Sequence, residues 1–366
     1  MSALEKVVRH LGLYKFWFHF FGGNYSSDNM DMNICKQELE NYNPNPKTSC
    51  IQEHTLKPNQ VKVSIIVPAY NASNYIVQCI NSLITQITVY TYEIIVVNDG
   101  STDNTLDLIK GIKSDNLKVI DKPNGGISSA RNMGIINACG EYLIFCDSDD
   151  YMDKNAVQCL IERAEQTNAD IVEGVYCYVS ETGKRGHIVR HKSENEKMVN
   201  TFGVPWCKCI RKSLFQIVCF PLDYWFEDSV IHHVILPMAN KIEWVDDIVY
   251  YYRTNSNGAT ANSVGDPKSI DSLWILISLF EDRKKLNIAS TTDYYKYMLN
   301  MMRLGFHRTK LLPENIRKDF YYVYASFLKK EFDSYEFGLL NLDFANIQNL
   351  VTNINYSKYY DYFRKT

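Results

Sequence analysis

The sequence lacks a CxxC pair, a GxGxxG run after its first strand-like segment, a long unbroken apolar stretch and any internal repeat. Each absence removes a class of protein. The ten cysteines (Cys35, Cys50, Cys79, Cys139, Cys146, Cys159, Cys177, Cys207, Cys209 and Cys219) follow no metal-finger or redox spacing. With no signal-peptide cleavage pattern at the N-terminus, reduced thiols in a cytoplasmic protein are expected. No apolar run reaches the roughly 18 residues a membrane-spanning helix needs. Without GxGxxG, a nicotinamide dehydrogenase on a doubly wound sheet lacks its required motif. An excess of positive charge is missing too: 39 basic and 42 acidic side chains leave a net of −3, so no polycation is offered to nucleic acid.

What is there begins with ordinary globular composition, 46% hydrophobic and 22% charged, over 366 residues. That length suggests two domains, or one large domain with appendages. The charge is uneven. Residues 1–22 carry a net +2 and residues 270–366 a net +3, which leaves −8 in the acidic middle. Within residues 4–21, Leu4, Val7, Leu11, Tyr14, Phe18 and Phe21 form one apolar stripe at helical spacing. Such a basic, aromatic amphipathic helix can lie in the headgroup plane of a membrane or dock on the protein's own body. Residues 23–60, rich in Asn, Ser, Asp, Gln and Pro, read as a linker.

At Val61 the texture changes. Apolar runs at 63–67 (VSIIV), 93–97 (EIIVV), 117–120, 141–146 (EYLIFC) and 170–178 alternate with helical spacing at 73–87, 103–113, 127–138 and 154–167. Continuous apolar strands alternating with helices indicate an α/β fold, a Rossmann-like, mainly parallel sheet covered on both faces. Residues 180–205 read as a polar loop. The run 246–253 (DDIVYYYR) reads as an edge strand, and the chain from about 268 is helical in pattern. In parallel sheets ligands gather beyond the carboxyl ends of the strands. Three such ends here are polar: PAYN, NDGS and DSDD.

An Asp-x-Asp strand end sets two carboxylates close together, where a cation relieves their repulsion. Hard oxygen ligands of this kind suit Mg²⁺ or Mn²⁺. Asp147 and Asp149 fall on one side and Asp150 on the other, where it would cap the next helix. Taken alone, DSDD is also a polar turn. Asp99 could accept the N–H of a uracil ring or serve as a turn residue. Tyr70 offers a face for a base, or packs in the core, and Pro68 is a rigid stop.

Taken in order, VSIIVPAYN, EIIVVNDGSTD, PNGGISSARNMGI, GEYLIFCDSDD, WCK and FED resemble the family 2 glycosyltransferases of the GT-A fold, of the bacterial O-antigen and capsule type. The resemblance covers about residues 62–255. It implies an inverting, Mn²⁺- or Mg²⁺-dependent hexosyltransferase using a UDP-sugar. Pro68, Tyr70 and Asn71 would line the base pocket and Asp99 would bind uracil. Asn124 and Arg131 would contact the nucleotide-sugar, Asp147 would sit near ribose or sugar, and Asp149 would be the main metal ligand with Asp147 beside it. Asp228 matches the general base, Glu227 its neighbour near the acceptor, and Trp206 and Lys208 the element beside the donor sugar. Physically, inversion needs a base opposite the leaving group, and a divalent ion stabilises the departing diphosphate.

The organisation implied is an amphipathic helix (1–22), a linker (23–60), a catalytic domain (61–265) and a helical C-terminal region (266–366). The QxxRW element resembling processive synthases is missing, so one sugar per acceptor is expected. The resemblance implies a glycan acceptor carried on a lipid diphosphate, and the basic ends suit peripheral contact with the inner face of an anionic membrane. An inactive nucleotide-sugar-binding scaffold is the competing class; intact Asp99, Asp149 and Asp228 argue against it. Of the histidines, His232 could orient Asp228 from the same helix face, though a partly buried helix histidine is the plainer reading. His187 and His191 belong to a solvated basic loop. His307 and Arg308 could reach a substrate from the helical region. The 11 tyrosines of that region pack its helices or face an acceptor.

Overall fold

The computed structural model describes residues 31–190, 201–255, 263–333 and 342–365. The expected helix of residues 1–22, and His191, lie outside the described residues. In chain order the elements are α1 (Met32–Tyr42), β1 (Val61–Ala69), α2 (Ile76–Ile84), β2 (Tyr92–Asp99), α3 (Thr105–Gly111), β3 (Leu117–Lys122) and α4 (Gly126–Asn137). There follow β4 (Gly140–Phe145), β5 (Tyr151–Met152), α5 (Ala156–Thr167), β6 (Ile171–Val179), β7 (Arg185–Val189), β8 (Lys208–Arg211) and β9 (Ile242–Arg253). The chain closes with α6 (Asp271–Lys285), α7 (Thr292–Thr309), α8 (Glu314–Phe332), α9 (Leu342–Asn353) and α10 (Tyr356–Lys365).

The strands build one sheet in the order β3-β2-β1-β4-β8-β6-β9-β5, with β7 paired to β6. The four strands β3, β2, β1 and β4 are parallel, β8 runs antiparallel to both its neighbours, and β9 is parallel to β6. β1 and β2 are buried on both faces, which is why they read as unbroken apolar runs. Alternate residues feed different cores. Val63, Ile65, Val67, Ile94 and Val96 pack with Ile76, Ile80 and Leu83 of α2. Ile66, Ile95 and Val97 pack in a second core that continues into α6, α7, α8 and α10. There α4 lies so close to β1 that a Cβ on Gly134 would stand 2.4 Å from Ile66 Cγ2.

Three local expectations are corrected. Residues 31–60 are not a bare linker: Asp31 caps α1, Cys35 and Leu39 are buried, and Cys50 N donates to Asp282 Oδ2 of α6 at 2.8 Å. DDIVYYYR is an edge only in part, because β5 returns against Tyr250 and Tyr251 of β9 immediately after DSDD. His187 sits in β7, which forms a hairpin with β6, rather than in a loop. Among the tyrosines of the helical region, Tyr294, Tyr295, Tyr321, Tyr322, Tyr324 and Tyr359 are buried in the core, and Tyr321 stacks on Tyr359 at 4.2 Å.

Candidate functional site

The three polar strand ends lie side by side because β2, β1 and β4 are adjacent and parallel. After β1, Tyr70 is half exposed, and Asn71, in the left-handed region at φ 47°, accepts a hydrogen bond from Thr102 N at 2.8 Å. That bond ties the ends of β1 and β2 together. Pro68 itself is buried inside β1, paired in register with Val97. At the end of β2, Asp99 is buried, pairs with Lys122 Nζ and accepts Gly125 N at 3.0 Å. Gly100 adopts φ 69°, and a Cβ there would stand 2.6 Å from Asn124 N, so the PNGG turn closes directly over the β2 end.

Beyond β4 the chain turns, with Asp150 N donating to Asp147 O at 3.0 Å. Asp147 and Asp149 remain partly open, whereas Asp150 is buried. Asp150 does not cap α5. It accepts Tyr250 OH at 2.8 Å and Arg253 N at 2.7 Å, bolting the turn to β9. Burial raises the Asp150 carboxyl well above the usual range, and the charges of Asp149 and Asp147 add to this. Asp149 accepts Asn255 Nδ2 at 3.2 Å, and its carboxyl is likewise raised, by burial first and by Asp147 second. A divalent cation would relieve that repulsion. Among the described residues no third His, Cys, Asp or Glu joins the pair. The donor set therefore fits a hard cation that takes its remaining oxygens from substrate and water.

Arg131, from the middle of α4, connects this turn to a distant segment. It is only 2% exposed. Nη2 donates to Asp147 Oδ1 at 2.8 Å and Nη1 to Glu227 Oε1 at 2.5 Å, while the guanidinium rests over the Phe220 ring. In this arrangement the guanidinium, expected from the sequence to contact the nucleotide-sugar, is engaged by two carboxylates. Burial pushes the Glu227 carboxyl up to about 7, with Arg131 opposing and Asp228 adding to the shift. The Asp228 carboxyl is raised by burial, with Arg131 and Arg308 opposing. Directly before these two, Phe226 is held at φ 66°.

Lys208 is the clearest departure. Its side chain is wholly buried, pairs with the equally buried Glu173 at 2.7 Å, and donates to the carbonyls of Phe202 and Val204 at 2.9 and 2.6 Å. It cannot reach a donor; it anchors the loop that carries Trp206. Trp206 is 7% exposed and stacks on Tyr250 and Tyr252, so it buttresses the DSDD turn from behind. His232 does not hydrogen-bond Asp228. Its ring lies flat on Tyr297 at 3.8 Å, both ring nitrogens are buried without a partner, and burial lowers its pKa to about 3.

Sequence reasoning missed Tyr250, Arg253 and Glu173. Glu173 left a readable signal: a lone carboxylate in a strand buried on both faces needs a buried cation. Tyr250 and Arg253 left none, since nothing in VYYYR tells which residue meets DSDD.

The family described as "Glycosyl transferase family 2" matches residues 64–218. The chain is 31% identical over 215 residues to Glycosyltransferase GlyG of Streptococcus pneumoniae serotype 4, a match covering 53% of this chain and 71% of that protein. It is 34% identical over 217 residues to the uncharacterized glycosyltransferase EpsJ of Bacillus subtilis, covering 54% of this chain and 62% of that one. The crystal structure of S. aureus TarS superposes with TM-score 0.62 at 20% identity, over 82% of this chain and 54% of that chain. The fold is of the GT-A type, with a helical C-terminal region, as the sequence resemblance implied.

Proposed function

This chain belongs to glycosyl transferase family 2 and is a glycosyltransferase; we propose that it inverts configuration while moving one sugar from a UDP-sugar to a glycan hydroxyl. The acceptor is carried on a lipid diphosphate, and the product is a bacterial surface polysaccharide. One observation carries the reading. Arg131 bonds Asp147 of the DSDD turn and Glu227 of FED at once, so two motifs far apart in sequence meet at the strand ends.

At these strand ends Tyr70 stacks on the base, while Asp99 and Asn71 receive the nucleotide with Asn124 closing over it. Asp149 and Asp147 would hold Mn²⁺ or Mg²⁺, which when bound supplies positive charge to the departing diphosphate. Asp228 takes the proton from the acceptor hydroxyl as its oxygen attacks the anomeric carbon, on the face opposite the leaving group. Glu227, held by Arg131, positions Asp228 and the acceptor. Holding both reactants in line supplies much of the acceleration. Residues 61–265 form the catalytic unit, and the helical region from 266 completes it. Residues 1–22 give peripheral contact with a membrane; among the described residues no helix is long and apolar enough to cross one.

The test is UDP release from a panel of UDP-sugars with Mn²⁺ or Mg²⁺. Asp149→Ala should abolish metal-dependent UDP binding, and unchanged binding would exclude this metal assignment.

A further inference from the structure

The helical region sets one face of α7 against the segment that carries Asp228. Tyr297 and Arg308 lie eleven residues apart, close to three helical turns, and so share that face. Tyr297 supports the His232 ring at 3.8 Å, and the Arg308 guanidinium lies 3.6 Å over the ring of Phe226, two residues before Asp228. The segment holding Asp228 is thus clamped by α7 on both sides.

We propose that Arg308 binds an anionic group of the acceptor, a phosphate, beside the hydroxyl that Asp228 deprotonates. This rests on the transferase reading above, in which Asp228 faces the acceptor. The Arg308 side chain is part-buried, and among the described residues no carboxylate lies within the 4.0 Å of an ion pair. Asp228 attracts it only from beyond that distance. Among the described residues its guanidinium donates to no acceptor, and its nitrogens are not among the fully buried ones, as Arg131 Nε and Arg283 Nε are. Even part-burial of a guanidinium without a counter-ion carries a cost. A planar fork of N–H donors fits phosphate oxygens bidentately and supplies that counter-ion. Contact with Phe226 uses the face of the fork and leaves its edge free. Because the base stands opposite the leaving group, a cation next to it lies on the acceptor side rather than at the departing diphosphate.

The experiment uses the full chain saturated with UDP and Mg²⁺, titrated with glucose 1-phosphate and with methyl glucoside and read by calorimetry. Wild type should prefer the phosphate by about tenfold or more, the worth of a charged hydrogen-bonded contact. Arg308→Gln should level the two probes while the Kd of UDP changes less than about twofold, and Arg308→Lys should keep part of the preference. Equal affinity for both probes in wild type, or an undiminished preference in Arg308→Gln, overturns the proposal. So does a collapse of UDP affinity in Arg308→Gln with Arg308→Lys intact, which would give the cation to the donor. If wild type bound no UDP, the donor assignment would fail by itself, since the phosphate preference is read equally well without it.

Discussion

At the scale of the residue, burial decides which carboxylates do chemistry. Asp149 and Asp228 are both raised by burial, and Asp147 adds to each. A base must be ionised to accept a proton, so activity should fall as the pH drops through the raised Asp228 value. The acid limb of the kcat profile should therefore lie above the roughly 3.9 of a free aspartate. A limb at or below that value would show that another group takes the proton. Lys208 gives a second prediction. Removing its charge strands Glu173 in the core, so Lys208→Met should cost about 3–5 kcal/mol of stability in urea unfolding. A loss of donor affinity at unchanged stability would restore Lys208 to the donor site. Asp99, Asp147, Asp149, Glu227 and Asp228 were legible in the sequence because each ends a strand or belongs to an ordered motif. Burial was not legible: it engages Lys208 with Glu173, and Arg131 with Asp147 and Glu227.

At the scale of the element, strand and helix positions followed from apolar periodicity, and the site followed from three adjacent parallel strand ends. The misplacements share a cause. A strand is at an edge, or a polar segment is a linker, only relative to partners far along the chain. β9 is covered in part by the two-residue β5, and residues 49–50 are held by Asp282 of α6. Close approach of elements is likewise invisible until they pack. With its Cβ 2.4 Å from Ile66, a Gly134→Ala chain must push α4 off β1. The expected cost is about 1–3 kcal/mol in thermal or urea unfolding. Because α4 also carries Arg131, kcat should fall alongside. Full stability would mean the helix can shift without strain.

At the scale of the molecule, one core runs from the sheet into the C-terminal helices, with Ile66 and Val97 in the same cluster as Tyr294 and Phe320. The acidic middle of the chain, which looks ill-suited to an anionic nucleotide-sugar, concentrates carboxylates where a cation and a base are wanted. The basic C-terminal region sets Arg308 against the segment that carries Asp228. The central claim is that Asp228 performs the proton transfer in a site assembled by Arg131. The measurement that tests it most directly is turnover and UDP affinity of Asp228→Asn, side by side with wild type. The account predicts that kcat falls by about 10²–10⁴-fold while UDP still binds within about twofold. Near-full turnover in Asp228→Asn would contradict it.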